Sequence, residues 1–164
     1  MKKEKINLGC GKEIKEGYIN LDFEEFDGVD VIHDLNIFPY PFKTNQFKEI
    51  LMDRSLEHLD NPYRVMKEIY RIAQKDAVIK IRVPHFSSIQ CWGNLQHKRG
   101  FSVRTFNSGG IEKDFEVIYA EIEIPRIRFF IKPMVKMFPL FYEKNLAYIF
   151  PATDLVVHLK VKKE

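Results

Sequence analysis

Residues Lys5–Gly11 have the sequence KINLGCG, a short apolar run that ends in two glycines separated by one residue. Ile6 and Leu8 flank Asn7 with a period of two, which is typical of a β-strand. Glycine has no side chain and adopts backbone angles that other residues avoid, so two glycines allow the backbone to approach a ligand closely. In open α/β sheets the ligand crevice lies at the carboxyl ends of the strands. The pattern therefore predicts a nucleotide site after the first strand, with a plain turn as the alternative.

The composition is that of an ordinary globular protein. The chain has 164 residues, of which 45% are apolar and 30% charged, and its net charge is +3. This length suits one domain with a substantial core, so we expect a single domain over residues 1–164. The small net charge does not favour nucleic acid as a partner. Cys10 and Cys91 form neither a disulfide framework nor a metal-ligand spacing, and we predict no metal site.

The sequence predicts neither a secretion signal nor a membrane span. The first residues are charged, and too few apolar residues follow them for a signal peptide. No run reaches the roughly 18 apolar residues that a spanning helix needs. We therefore expect a cytoplasmic protein.

Short strands alternate with turns along the first half of the chain. Alternating apolar residues predict strands at 18–22, 29–33, 47–52 and 78–83. Only about nine residues separate the first two strands, fewer than the roughly 10–12 of a normal parallel crossover. The first crossover helix is therefore predicted to be reduced to a turn or two.

One longer helix and two final strands complete the predicted fold. Asn61-Pro62 is a typical helix start, and apolar residues recur at helical spacing from there to Lys75-Asp76. Strands at 116–124 and 155–161 are expected to pair in antiparallel fashion. The predicted architecture is a three-layer Rossmann-like α/β sandwich, with a mostly parallel sheet and antiparallel C-terminal edge strands.

Two longer segments lie outside this pattern. Residues 85–110 have no long periodic element but carry aromatic and basic side chains, so we expect an active-site loop or lid. Residues 125–151, broken by Pro133 and Pro139, are predicted to form a helical insertion of two short helices before the last strand. The basic and aromatic part of this insertion, 124–141, is compatible with a cover over the sheet, a homodimer face or contact with a membrane.

Three carboxylates directly follow consecutive predicted strands. Asp22, Asp34 and Asp53 should lie in a row beside the glycine pair, because the carboxyl ends of parallel strands share one edge of the sheet. An Asp after the second strand is the expected partner of ribose hydroxyls; capping of a turn is the alternative role for each acid. A dinucleotide motif would place a third glycine where Ile14 stands. A cofactor without phosphate, S-adenosylmethionine, therefore suits the pattern better.

These motifs together resemble a class I S-adenosylmethionine-dependent methyltransferase. In chain order they are Asn7–Gly11 (NLGCG), Gly17–Asp22 (GYINLD), Asp34-Leu35 and Leu56–Leu59 (LEHL). The runs 83–88 (VPHFSS) and 97–102 (HKRGFS) are similar to those of small bacterial and archaeal methyltransferase-domain proteins in that superfamily. The resemblance extends from Ile6 to Phe106, with a weaker echo at 149–151.

The resemblance implies a role for each matching residue. Gly9, Cys10 and Gly11 would pass under the methionine part of the cofactor, and Asp22 would bind the ribose hydroxyls. Residues further along the chain would complete the pocket: Asp34 at the adenine amino group, the backbone of Leu35 beside the ring, and Asp53 and Arg54 facing the methionine and the acceptor.

The acceptor is predicted to be a small molecule, a glycan or a lipid precursor. His58 follows the fourth strand and His85 the fifth, so both are candidate catalytic residues that should reach the crevice mouth; hydrogen bonding within a loop is their alternative role. Enzymes that methylate amines of nucleic acids carry an Asn/Asp-Pro-Pro-aromatic motif directly after the fourth strand. This chain has Asp53–Leu56 there instead, which disfavours a nucleic-acid acceptor. Two other hypotheses remain open: a methyltransferase-like binding subunit without turnover, and a nicotinamide-dependent reductase.

Overall fold

A seven-stranded sheet takes its strands from nearly the full length of the described residues, from Lys5 to Val161. The computed structural model describes residues 3–163. The strands are β1 Lys5–Leu8, β2 Ile19–Asp22, β3 Val31–Ile32, β4 Phe47–Asp53, β5 Ala73–Pro84, β6 Phe115–Ile122 and β7 Asp154–Val161. Their order in the sheet is β3-β2-β1-β4-β5-β7-β6. The first five strands are parallel, and β7 is antiparallel to both β5 and β6, which confirms the predicted α/β class and the antiparallel edge.

The helices are short, apart from one. They are α1 Pro62–Ile72, α2 Ile89–Trp92, α3 Val103–Ser108, α4 Lys132–Met137 and α5 Pro139–Asn145, with 3₁₀ turns at Leu56–His58 and Arg126–Ile131. Asn61 caps α1 by accepting a hydrogen bond from the backbone of Arg64, and Pro62 occupies the first turn, as predicted. Over the described residues, no helix is long and apolar enough to cross a membrane.

Helix α1 ends earlier than its sequence predicts. The predicted end at Lys75-Asp76 is wrong, because the chain turns into β5 at Ala73, which pairs with Phe47 of β4. The pairing resumes at Val78 after a register shift, and Asp76 has a positive φ of 61°. Lys75-Asp76 therefore lies in an irregular stretch of the strand rather than at a helix end.

The helices cover one face of the sheet. On that face the alternate residues of the central strands, such as Ile50, Ile79 and Val157, are fully buried in one core with α1, α3, α4 and α5. The opposite face of β4, β5 and β7 carries partly exposed polar residues, among them Lys80 and His158. The predicted three-layer sandwich thus has only two layers among residues 3–163, the sheet and the helices on one face. The second helical layer is absent from these residues because the first crossover contains turns and no helix.

The first crossover, between β1 and β2, has no helix and is anchored by two buried asparagines. Asn7 and Asn20 are neighbours on β1 and β2, and the amide of Asn7 donates to Asn20 (3.2 Å) and to the carbonyl of Glu13 (2.9 Å). Asn20 accepts from the backbone N–H of Lys15 (2.9 Å) and donates to the carbonyl of the same residue (3.2 Å). These bonds satisfy backbone groups that a helix would satisfy by itself.

We predict that Asn20→Ala destabilises the fold by about 2 kcal/mol or more. The substitution removes three hydrogen bonds at once, one from the buried Asn7 amide and two with the part-buried backbone groups of Lys15, and each bond contributes about 0.5–1.5 kcal/mol. Urea denaturation measures the change. Asn107→Ala, at an exposed position of α3, is the control and should stay within about 0.5 kcal/mol. Equal losses in the two variants would contradict this role of Asn20.

Candidate functional site

A cavity of about 800 Å³ lies at the carboxyl edge of the sheet, beside the ends of β1, β2, β3 and β4. This volume lies within the range of small-molecule pockets, about 300–1,000 Å³. All eight residues predicted to bind the cofactor line it, namely Gly9, Cys10, Gly11, Asp22, Asp34, Leu35, Asp53 and Arg54. The parallel strands thus bring together residues that are up to 45 positions apart in the chain.

Gly9 is required by packing inside the protein. A Cβ at Gly9 would lie 2.5 Å from Ser55 Oγ, and the residue has a positive φ of 67°. The Ser55 hydroxyl lies against the end of β1, 3.1 Å from the Gly9 carbonyl oxygen and 3.3 Å from that of Leu8. Gly9 was expected to leave space for a ligand. The space beside its Cα is occupied by Ser55 instead, so the glycine is needed for this internal contact.

Gly11 faces open space. A Cβ there would meet no atom within 4 Å. Its N–H donates to Asp22 Oδ2 at 2.6 Å, and Asp22 Oδ1 accepts from the backbone of Glu24 at 3.1 Å. A carboxylate oxygen has two lone-pair sites, so each oxygen of Asp22 retains one for a ligand. Burial and the Asp22 charge raise the pKa of the intervening Cys10 thiol to about 11, so it is not a nucleophile at neutral pH.

Asp34 and Leu35 form one turn at the cavity wall. Asp34 Oδ1 accepts hydrogen bonds from the backbone and side chain of Asn36, at 2.8 and 3.2 Å. This is the turn-capping role that was the alternative for Asp34, and it leaves the second carboxylate oxygen available. The carbonyl of Leu35 is bound by the Tyr40 hydroxyl at 3.0 Å. Tyr40 is buried and its backbone donates to Glu68 of α1, so the turn is fixed against the core.

Arg54 has a conformation that is unusual for its residue type. It directly follows β4 with a positive φ of 51°, a region that non-glycine residues rarely adopt. Its guanidinium pairs with Asp154 at 2.6 Å, and its backbone N–H donates to Arg82 of β5 at 2.8 Å. Backbone strain of this kind occurs often at functional sites.

A second cavity of about 570 Å³ adjoins the first, and Arg54 and His58 line both. Its other walls come from the turn after β4 and from the predicted active-site loop, including Ile89 and His97. Burial and the neighbouring His97 lower the pKa of His58, while a hydrogen bond with the Gln96 backbone opposes the shift. His58 is therefore neutral at pH 7 and lies between the two cavities.

His85 does not reach either cavity, contrary to the prediction that it stands at the crevice mouth. The residue is completely buried. Its Nδ1 is 2.8 Å from the Ser87 hydroxyl and its Nε2 is 3.3 Å from Glu143 of α5. Both ring nitrogens are thus engaged between the loop and the C-terminal helices. We do not retain His85 as a catalytic candidate.

Glu57 is a residue of the site that the sequence reasoning missed. It lies beside His58 in the 3₁₀ turn, is fully buried and lines the second cavity. Burial raises the pKa of its carboxyl group to about 7. The sequence feature that could have pointed to Glu57 is its position in Leu56–Leu59 (LEHL), where an acidic residue stands next to a histidine between two leucines.

The cavity lining suits a positively charged nucleoside. Acidic side chains outnumber basic ones along it: Glu13, Asp22, Glu24, Asp34 and Asp53 against Lys12, Arg54 and Lys98. S-adenosylmethionine carries a sulfonium and an ammonium group, which these carboxylates would attract. Together with the free acceptor positions on Asp22 and the open space at Gly11, the lining fits this cofactor.

Comparisons with known proteins agree with this interpretation. A family model described as a methyltransferase domain matches residues 14–81. An S-adenosylmethionine-dependent methyltransferase from Mesorhizobium loti has a similar structure, with a TM-score of 0.67, 14% identity, and coverage of 96% of this chain and 90% of that one. One from Archaeoglobus fulgidus has a TM-score of 0.67 and 17% identity, with 95% and 85% of the chains covered. Comparison with curated protein sequences gave no match.

Residues 14–81 thus match a methyltransferase domain, and the chain as a whole has the fold of S-adenosylmethionine-dependent methyltransferases. The domain and the fold imply S-adenosylmethionine as the cofactor. The first crossover of this chain has no helix, and the segment that stands in its place is anchored by Asn7 and Asn20.

We predict that Gly9→Ala costs more stability than Gly17→Ala. Both glycines have positive φ, so both substitutions carry the left-handed backbone penalty of about 1–2 kcal/mol. Only Gly9 adds a clash with Ser55, since a Cβ at Gly17 meets no atom within 4 Å. Denaturation midpoints in urea compare the two variants. A Gly9→Ala variant as stable as Gly17→Ala would contradict the contact.

Proposed function

We propose that this methyltransferase domain transfers a methyl group from S-adenosylmethionine to an amphiphilic small acceptor, such as a lipid precursor. The observation that carries the proposal is the pair of adjoining cavities: one suits the cofactor, and the second shares Arg54 and His58 with it. When bound, the cofactor supplies an electrophilic methyl group on its sulfonium.

In the first cavity we assign the cofactor's parts to particular groups. The carboxylate of Asp22 binds the ribose hydroxyls, and Asp34 and the backbone of Leu35 contact the adenine. The backbone from Gly9 to Gly11 runs beneath the methionine part. Support comes from the common cavity and from the acceptor positions that remain on Asp22 and Asp34.

In the second cavity the chain positions the acceptor. Methyl transfer requires in-line approach of the nucleophile, and well-aligned intramolecular reactions gain about 7–11 kcal/mol from such positioning. His58 contacts the acceptor, because it is the one of the two predicted catalytic histidines that lines this cavity. The shared residue Arg54 is held in place by Asp154.

The surface around the second cavity supports an amphiphilic acceptor. Ile89 and Trp92 of α2 are 84% and 67% exposed, and the Trp92 indole donates to the carbonyl of Phe86 at 2.8 Å. The ring of Phe86 in turn contacts that of Tyr148, 77% exposed, at 5.6 Å between centroids. This apolar surface continues into the C-terminal insertion, where Ile127, Phe129, Phe130, Met137, Phe138, Leu140, Phe141 and Ile149 are exposed.

Exposed apolar residues in such number mark a contact surface. The same insertion carries Arg126, Lys132, Lys136 and Lys144. Aromatic and aliphatic side chains interspersed with lysines and arginines favour anionic lipid headgroups. We propose that the exposed residues of 126–149, here termed the apolar insertion surface, lie against an anionic lipid layer from which the acceptor enters.

We predict that Asp22→Ala weakens S-adenosylmethionine binding by about 1–3 kcal/mol, because charged hydrogen bonds to the ribose are lost. Calorimetric titration measures the affinity, and circular dichroism checks that the Gly11 turn and the fold survive. Asp27→Ala, at an exposed turn position outside the cavity, should bind as the unmodified chain does. Unchanged affinity in Asp22→Ala, or no binding to the unmodified chain at millimolar cofactor, would contradict the cofactor assignment.

We predict that the chain sediments with vesicles containing phosphatidylglycerol and less with phosphatidylcholine vesicles. Phe129→Ser with Phe130→Ser should reduce this binding several-fold, since two exposed aromatic anchors are removed. Ile32→Ser is the matched control, because Ile32 is 58% exposed on the opposite edge strand β3. A concentration-dependent dimer that sediments with neither vesicle type would instead assign the surface to a second copy of the chain.

A further inference from the structure

A carboxylate and two imidazoles converge at the second cavity. Glu57 and His58 lie in the 3₁₀ turn after β4, and His97 comes from the loop 85–110. One potential ligand atom from each side chain lies within 4.8 Å of the other two. The loop is held on the turn by a backbone hydrogen bond from Lys98 to the Glu57 carbonyl, at 2.9 Å. Residues forty positions apart are therefore brought to one point.

Glu57 is the unusual member of this group. Its side chain is 1% exposed, and neither carboxylate oxygen has a hydrogen-bond partner within residues 3–163. A buried carboxylate costs several kcal/mol unless a cation or hydrogen bonds compensate it. The guanidinium of Arg54 is engaged by Asp154 at 2.6 Å and makes no hydrogen bond to Glu57.

The two histidines also have unused ring nitrogens. His97 Nδ1 is buried and unpartnered among the described residues, and its Nε2 lies 4.0 Å from Glu57 Oε1, beyond hydrogen-bond distance. The rings of His58 and His97 meet edge to face, with centroids 4.6 Å apart.

We propose that Glu57, His58 and His97 bind one divalent transition-metal ion, with Zn²⁺ as the best match. Two imidazole nitrogens and one carboxylate oxygen form a ligand set found in catalytic zinc sites, which keep a further position open. Mg²⁺ and Ca²⁺ prefer oxygen ligands and do not suit two histidines. Ligand atoms of tetrahedral zinc lie about 3.4 Å apart, so side-chain shifts of about 1 Å complete the site.

The sequence-based prediction of no metal site considered the two cysteines, Cys10 and Cys91, whose spacing is not a ligand pattern. The group that folding assembles is a different one. Because Glu57, His58 and His97 all line the second cavity, an ion held by them would adjoin the acceptor and would polarise an oxygen of it. That consequence depends on the proposed function, whereas the binding of the ion does not.

The test is a zinc titration of the chelator-treated, dialysed full chain without cofactor, followed by calorimetry and by competition with a chromophoric chelator. We expect one equivalent of Zn²⁺ to bind. Glu57→Gln and His97→Gln should each weaken binding at least about 100-fold, since loss of even an outer-shell partner costs about 10–100-fold. Co²⁺ should give visible absorption bands that both variants lose.

Three control variants separate binding at this site from other causes of zinc binding. His158→Gln, on the opposite face of the sheet, and Cys91→Ser should keep the affinity of the unmodified chain. Asp22→Asn changes the first cavity only and should also bind zinc normally. Zinc binding is thereby tested separately from the cofactor assignment. Binding well below one equivalent, or equal affinity in the Glu57→Gln, His97→Gln and unmodified chains, would overturn the proposal. Circular dichroism of each variant verifies that the fold is intact.

Discussion

The close contact between Ser55 and the end of β1 supports the whole functional edge of this domain. Its hydroxyl lies within 3.3 Å of the carbonyl oxygens of Leu8 and Gly9, and only a glycine leaves room for it. The contact joins the ends of two central parallel strands, β1 and β4. It thereby sets the separation between the Gly9–Gly11 turn, which lines the first cavity, and the Leu56–His58 turn, which lines the second.

A polar network replaces a helical layer on one face of the sheet. Glu49 on β4 accepts from Lys80 on β5 at 2.8 Å and from the Tyr18 hydroxyl, and Lys5 on β1 lies 3.6 Å away. Such partly exposed ion pairs contribute little free energy each. Within the described part of the chain, no helix covers this face of the sheet, so apolar residues here would be exposed to water. The charged and polar side chains remain solvated instead. The Asn7–Asn20 pair performs the same task over β1 and β2, where the crossover has no helix.

The location of the cavity was accessible from the sequence, whereas the roles of individual side chains were less so. Asp22, Asp34 and Asp53 were predicted to lie on one edge because each follows a parallel strand, and all three line the first cavity. His85 satisfies the same rule, yet it is buried between Ser87 and Glu143. A strand end specifies an edge of the sheet but not the direction of the side chain, which depends on neighbours distant in sequence.

The sequence by itself determined the strand pattern, the helix start at Asn61-Pro62 and the row of acids, because these depend on local periodicity and on the geometry of parallel strands. Tertiary structure alone decided that Gly9 serves Ser55, that one sheet face lacks helices, and that Glu57 and His58 meet His97. Each of these depends on contacts between segments far apart in the chain. The pattern of apolar and polar residues in one segment does not specify which distant side chain packs beside it.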